Sequence, residues 1–407
     1  MLLAPIEPCW PGALSLLLGP DAPELLAVAV GAHGGRLRRL RAASVTVQPT
    51  GAAVVLYEAH VERADATVTR ETLAATTGDH IPPGAALLHG QGTVVGVWRW
   101  PQDPALPALE VAADPHRLAE TLSAAGVRRT ALPHLRVRAY RPGRRAVLEI
   151  SEGGPRLYAK VVRPSAVAAL RARHDLLAEH MPVPRPLACT PDGLLVMPEL
   201  PGTPLRALLD GDIPPPGPAA LTSLLDTLSV GLLEFPGRRT HLQRVRHFAT
   251  VLALTAVTAP EDRDRLGALE AALIGVEPGK HPVVPVHGDF HEGQLLARAG
   301  TVTGLLDVDT AGRGHRIDEW ATLLAHLSVL ALHVPRPGPV RRYGAALLAA
   351  AEQAHPSEQV RPRIAAAVLG LATGPFRVQQ DRWAAHTRAR LALAERWLEE
   401  GPEQLRP

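Results

Sequence analysis

Apolar and polar positions alternate with a period of two in short runs over the first half of the chain. They follow the helical period over most of the second half. Ala43 to Glu58 (ASVTVQPTGAAVVLYE) reads as two β-branched runs around Pro49-Thr50-Gly51, a hairpin. Thr93 to Trp100 (TVVGVWRW) is another strand before a Pro-rich turn, and residues 115–125 (PHRLAETLSAA) predict a short helix stopping at Gly126. Val137 to Ile150 predicts two strands around Pro142-Gly143, and a strand ending at Lys160 follows Gly153-Gly154. Residues 165–180 have helical periodicity and stop before Pro182-Val183-Pro184, and Leu194 to Glu199 is an apolar strand. A Pro-rich linker, residues 211–218 (GDIPPPGP), leads into a mostly helical remainder interrupted by strands and loops from Val283 to Asp309. Residues 1 to about 30 are apolar and broken by prolines, and they predict no clear element. The hairpins near 50 and 142 look alike, which leaves an internal repeat and a chance likeness as alternatives.

Composition adds bounds to this picture. A chain of 407 residues exceeds one ordinary core and points to two or three packed subdomains. An apolar share of 46% with 20% charged residues is globular. The net charge of +3 is small, and no run of basic residues with interleaved aromatics marks a nucleic-acid partner. Cys9 and Cys189 are too few for a disulfide framework or a thiolate metal site, so a reducing compartment fits. The start, Met1 to Pro8, lacks the basic region of a signal peptide, and no apolar run is long enough to span a bilayer. The expectation is a soluble cytoplasmic protein without a membrane partner. Nearly every basic residue is Arg, and only Lys160 and Lys280 are Lys. Lys is a compact point charge where Arg is a wide fork, so Lys160, at a strand end, becomes a candidate for specific chemistry. Lys280 follows Gly279 but precedes no Ser or Thr, so it reads as a surface turn rather than a phosphate loop.

The chemistry concentrates in residues 286–321, VHGDFHEGQLLARAGTVTGLLDVDTAGRGHRIDEWA. Carboxylates between the apolar runs 282–286 and 304–306 are costly to place unless they serve a purpose. Phosphoryl transfer needs a carboxylate on the attacking hydroxyl, a metal held by a second carboxylate and an amide oxygen, and a cation on the nucleotide phosphates. Lys160, then Asp289, Gln294 and Asp307, follow one another along the chain in a pattern that meets this need. A metal-dependent hydrolase is a rival reading: His287, Asp289, His291, Asp307 and Asp309 could form a two-metal cluster, but Lys160 is then unexplained.

HGDxxxxQ, then LLDVD, then a Gly-Xaa-Xaa-Xaa-Asp stretch resembles the aminoglycoside phosphotransferase family, with its choline-kinase and maltokinase relatives, over roughly residues 130–400. The resemblance implies an α+β, protein-kinase-like two-lobe fold: a β-rich N-terminal lobe, a mainly helical C-terminal lobe and here an additional β-rich N-terminal region. The implied division is an extension at 1–125, a nucleotide-binding lobe and hinge at 126–202, and a helical lobe at 203–407. The implied activity is an ATP-dependent small-molecule kinase acting on a hydroxyl group of a sugar, aminoglycoside or amino alcohol, with ATP and Mg²⁺ as cofactors. By the same resemblance Asp289 is the catalytic base, Gln294 and Asp307 hold Mg²⁺, and Lys160 pairs with the α/β-phosphates. Met197, Pro198, Glu199 and Leu200 form the hinge at the adenine, and Arg144 sits in the phosphate-covering turn. Asp318 braces the catalytic loop, and His287 is a structural hydrogen-bonder. Three features depart from the family. Gln294 stands where Asn is usual, there is no GxGxxG loop, and no helix Glu is aligned with Lys160. Leu170 falls at that place, leaving Asp175 or Glu179 to serve. A catalytically weak nucleotide-binding relative is therefore the second alternative. Residues 327–400 carry more Arg and His than Asp and Glu, which favours a neutral or acidic acceptor such as a sugar.

Overall fold

Two five-stranded antiparallel sheets with the same strand order make up the first half of the chain. The computed structural model describes residues 10–79, 81–90, 92–211, 213–256 and 259–399. Residues 1–9, which include Cys9, lie outside the described residues.

Two short helices, α1 (Gly12–Leu18) and α2 (Ala22–Gly31), precede the first sheet. They fall where the sequence predicts no clear element. Their leucines have no polar face to alternate with, and only burial against the sheet orders them. Leu14, Leu17 and Leu26 pack with Val45, Val55 and Val61 in one core. The strands are β1 (Arg36–Val47), β2 (Ala53–Glu62), β3 (Val68–Thr77), β4 (Ala86–Gly90) and β5 (Thr93–Arg99), in the order β1-β2-β3-β5-β4. The predicted hairpin at 43–58 is β1–β2. Along β2 the alternation points Ala53, Val55, Tyr57, Ala59 and Val61 inwards.

Two helices, α3 (Leu109–Ala112) and α4 (Pro115–Ala124), then lead into the second sheet. Asp114 caps α4 by accepting the His116 and Arg117 N–H groups. The second sheet holds β6 (His134–Arg141), β7 (Arg145–Ser151), β8 (Leu157–Val162), β9 (Ala188–Cys189) and β10 (Leu194–Pro198), with helix α5 (Pro164–Leu177) between β8 and β9. Its order, β6-β7-β8-β10-β9, repeats that of the first sheet. The likeness of the two hairpins thus extends to whole sheets, although α5 has no counterpart in the first. One face, with Ala146, Leu148, Ile150, Ala159 and Val196, packs on Leu106, Leu109, Leu118 and Leu122. The other face carries Val162 and Leu195 against Val167 and Leu170 of α5.

Beyond the hinge come β11 (Thr203–Pro204), α6 (Leu205–Leu208), α7 (Pro218–Asp226), α8 (Val245–Thr255) and α9 (Pro260–Ile274). The loop-dense insert follows as β12 (Val284–Val286), β13 (Leu295–Arg298), β14 (Thr301–Leu305) and β15 (Gly312–Gly314). The chain continues through α10 (Arg316–Ala331), α11 (Pro337–Ala354), α12 (Ser357–Ala372), α13 (Gly374–Arg377) and α14 (Trp383–Glu399). α10 is apolar nearly all round and lies at the centre of this lobe, packed against α11 and α12. The expected α+β two-lobed arrangement is therefore present, with a β-rich region ahead of it. Among the described residues, no single helix is long and apolar enough to cross a bilayer.

The first sheet also rests on the helical lobe. Phe376 of α13 shares its core and meets Trp10 and Trp383 edge to face, with ring centroids 5.9 and 5.1 Å apart. Replacing Phe376 with Ala is expected to lower the unfolding free energy by about 3–5 kcal/mol, measured by chemical denaturation. A loss below about 1 kcal/mol would show that this docking contributes little.

Candidate active site

Lys160 is the anchor of the site. It lies in β8, between Val147 of β7 and Leu195 of β10, and only 5% of its surface is exposed. The strand continues two residues past it, to Val162, rather than ending there. From the strand the ammonium crosses to the helical lobe and donates to Asp307 Oδ1 at 2.8 Å and to Asp309 Oδ1. Arg145, the first residue of β7, approaches the same carboxylates from the other side. Its Nη1 lies 3.1 Å from both Asp307 oxygens and 3.3 Å from Asp309 Oδ2. Two cations and two carboxylates thus form a neutral quartet across the cleft. Burial pushes the Asp307 carboxyl up, but Lys160 and Arg145 outweigh it and hold Asp307 well below the usual range. Asp307 adopts a left-handed backbone, φ 55° and ψ 52°, which Asp tolerates better than most residues. Asp309 is a full member of the quartet.

Arg144 was expected at the phosphates. The turn exposes it, and Arg145 is the residue that reaches the carboxylates. Arg144 belongs to the turn, and Arg145 opens β7. The helix acid sought for Lys160 is absent too. Asp175 pairs with Arg171 at 2.8 Å, and Glu179 is exposed beside His180. In its place α5 supplies Arg173, which is 8% exposed. Arg173 Nε donates to the Ala311 carbonyl at 2.7 Å, and its guanidinium covers the Phe235 ring at 4.6 Å. The helix is therefore tied to the segment after Asp309 by a cation on a carbonyl, not by a carboxylate on Lys160.

The catalytic-loop sequence leaves β12, which pairs with β15. Gly288 has φ 80°, and a Cβ there would sit 2.5 Å from the Thr310 carbonyl, so the turn admits Gly alone. The His287 and Gly288 N–H groups donate to Glu319 Oε2 and Oε1 at 2.7 and 3.0 Å. Glu319, and not Asp318, braces this loop. Asp318 pairs with Arg363 on α12 at 3.3 Å, because one residue along α10 turns a side chain about 100°. Burial pushes Glu319 up to about 7 against the pull of those two N–H groups. His287 is fully buried and meets the Leu306 carbonyl through Nε2 at 2.8 Å, which makes Nε2 the protonated nitrogen. This contact joins the loop to the segment before Asp307, and Nδ1 is buried without a partner among the described residues.

Asp289 is half-buried. Arg238, from the loop before α8, donates to its Oδ1 at 2.8 Å. That loop is drawn in because Gly237 lets the chain touch β15. A Cβ at 237 would lie 2.0 Å from the Arg313 carbonyl. Burial pushes Asp289 up, but Arg238 and the nearby imidazoles prevail and hold it below its ordinary value. Oδ2 of Asp289 has no hydrogen-bond partner among the described residues.

Gln294 is joined to the segment before Asp307 through its backbone, because the Leu306 N–H donates to the Gln294 carbonyl at 2.8 Å. Its side-chain amide meets His291 Nε2 at 3.1 Å. Since His291 Nδ1 accepts the Gly293 N–H, a neutral ring carries its proton on Nε2. The structure places the amide nitrogen towards His291 Nε2, so a ring proton there calls for the amide to turn end for end, which brings its oxygen to His291 with one lone pair left over. His291, Glu292 and His326 also come within metal-binding distance of one another. The two rings are stacked, 4.0 Å apart and 9° from parallel. Imidazole lone pairs lie in the ring plane, so parallel rings cannot direct both at one ion. At the hinge, the Glu199 N–H donates to the Arg156 carbonyl, a register that turns the Pro198 carbonyl away from β8. The Leu200 N–H has no acceptor among the described residues, and Met197, within β10, is buried.

A quartet of charges thus lies between a β lobe and a helical lobe, beside a carboxylate held ionised. A model of the phosphotransferase enzyme family matches residues 136–360, more than half of the chain, and the chain belongs to that family. No curated protein matches it. Among solved structures it is similar to macrolide 2'-phosphotransferase MphH from Brachybacterium faecium, with 18% identity over 69% of this chain and 98% of that one, TM-score 0.40. It is also similar to an aminoglycoside-3'-phosphotransferase of type VIII, with 23% identity over 60% and 96% of the two chains, TM-score 0.42. A thermostable mutant of aminoglycoside phosphotransferase APH(4)-Ia shares 14% identity over 70% and 100%, TM-score 0.49. None of these likenesses bears on the acceptor.

Glu319→Leu leaves both loop N–H groups buried without an acceptor. The expected cost is about 1–3 kcal/mol for each, read from chemical denaturation, with faster amide exchange at His287 and Gly288. Unchanged exchange there would remove Glu319 as the brace.

Proposed function

We propose that this chain transfers the terminal phosphoryl group of ATP to a hydroxyl group of a small molecule, with Asp289 as the base. The observation that carries this reading is the neutral quartet of Lys160, Arg145, Asp307 and Asp309 beside an ionised Asp289. The acceptor hydroxyl donates to Asp289 Oδ2. Its oxygen attacks the terminal phosphorus, the bond to the bridging oxygen breaks, ADP leaves and the hydroxyl proton passes to Asp289. Lys160 faces the α/β-phosphates, and Arg144 lies at the turn above them. The Pro198 carbonyl and Leu200 N–H meet the adenine within the hinge Met197–Leu200. Asp307 and Gln294 offer hard oxygen donors that fit Mg²⁺, which supplies charge neutralisation at the β- and γ-phosphates when bound.

The acceptor reading is a neutral or acidic hydroxyl compound such as a sugar. Burial, then neighbouring arginines including Arg238, hold Arg144 and Arg244 below their ordinary values, so the opening near Asp289 is already crowded with positive charge. A polycation would meet repulsion there.

An ADP-release screen over sugars, aminoglycosides, choline and amino alcohols is expected to find turnover. Asp289→Asn should lower kcat about 10²–10⁴-fold. Undiminished turnover in that variant would sink the assignment, and nucleotide binding with no ADP from any acceptor would mark a binding protein instead. Because Arg238 opposes the effect of burial, Asp289 stays ionised to low pH. Arg238→Gln should move the acid limb of the kcat/KM profile to higher pH, and a limb that stays in place would separate Arg238 from the base.

A further inference from the structure

Asp103, in the turn after β5, is 3% exposed and belongs to the N-terminal region rather than to the family-matched segment. Its carboxylate nevertheless reaches the turn that covers the cleft. Oδ2 accepts the Gly143 N–H at 2.6 Å and the Tyr140 hydroxyl at 2.9 Å. Oδ1 accepts the Ala105 N–H at 3.0 Å, which holds the side chain in its own turn. Tyr140 is fixed in its turn. Trp98 Nε1 donates to its hydroxyl at 3.0 Å, and Trp100 meets its ring edge to face at 4.8 Å. The Gly143 peptide is gripped from both sides, since Arg163 Nε donates to its carbonyl at 2.6 Å. Residues Arg141–Arg144 form a β-turn closed by the Arg144 N–H on the Arg141 carbonyl, with Gly143 at φ 67°. The next residue is Arg145, whose guanidinium sits on Asp307 and Asp309.

A glycine in a short tip between strands, here the three residues Pro142, Gly143 and Arg144, has wide backbone freedom, and fixing it has an entropic cost. A buried carboxylate on its N–H and a guanidinium on its carbonyl hold this tip in one conformation. The direction of Arg145 follows from that conformation. We propose that Asp103 is a positioning residue of the phosphotransfer site. It fixes the Arg141–Arg144 turn and, through it, Arg145, which makes the N-terminal region a working part of the site. This inference rests on the cleft being the nucleotide site.

The test compares the full-length chain with Asp103→Asn, which faces an amide N–H₂ towards existing donors, and with Arg163→Ala, an exposed position that releases the other side of the same peptide. Binding of MgATP by calorimetry and amide exchange over residues 141–145 are measured on each. The expected result is faster exchange in both variants, with MgATP affinity lowered about tenfold in Asp103→Asn and about threefold in Arg163→Ala. Affinity equal to the unaltered chain's in both variants, or exchange unchanged in both, overturns the proposal. Failure of the unaltered chain to bind MgATP overturns the nucleotide reading instead, and shows itself before any variant is compared.

Discussion

Everything at this site depends on placing like charges close together inside a partly dry cleft. Asp307 and Asp309 repel each other, as do Lys160 and Arg145, and each group alone would be costly to desolvate. Interleaved, they cancel. Lys160 is brought by a central strand of one lobe, Arg145 by the strand beside it, and both carboxylates by the hairpin exit of the other lobe. The quartet is thus an adhesive between lobes as well as a site. It also holds Asp307, the carboxylate proposed to meet Mg²⁺, in its ionised form, and an ionised Asp needs no deprotonation to receive a cation. The left-handed backbone of Asp307 fits the same account, because its cost is borne only where surrounding contacts over-determine the conformation.

A second layer of contacts keeps the two functional loops in register. Glu319 binds the backbone of the loop that carries Asp289, and Arg173 binds the backbone just after Asp309. Both use a buried charged side chain on backbone polar groups that would otherwise be unsatisfied, which confers direction as well as energy. Arg238 occupies one oxygen of Asp289, so this carboxylate, the proposed base, is both held ionised and oriented.

The N-terminal region joins this arrangement from outside the family-matched segment. It touches the second sheet through Trp98, Trp100 and Asp103, and the helical lobe through Trp10 and Phe376. A body in contact with both lobes biases their relation to each other. Its sheet repeats the strand order of its neighbour but has no counterpart of α5 and no Lys–Asp pair.

Local chemistry was legible in the chain itself. The period-two runs around turn residues became hairpins, because strand alternation and turn preference act over a few residues. HGDxxxxQ with LLDVD carried Asp289, Gln294 and Asp307, and the rarity of Lys singled out Lys160, because each of these chemistries demands a particular residue type. Tertiary structure alone decided which of two neighbours makes which contact: Arg145 rather than Arg144 on the carboxylates of Asp307 and Asp309, and Glu319 rather than Asp318 on the backbone of the loop. A shift of one residue reverses a strand face and turns a helix face by about 100°, and sequence periodicity is too soft to fix either phase. Arg173, Arg238 and Asp103 were beyond reach for a different reason. Their partners lie 138, 51 and 40 positions away along the chain, so their roles exist only once the chain has closed on itself.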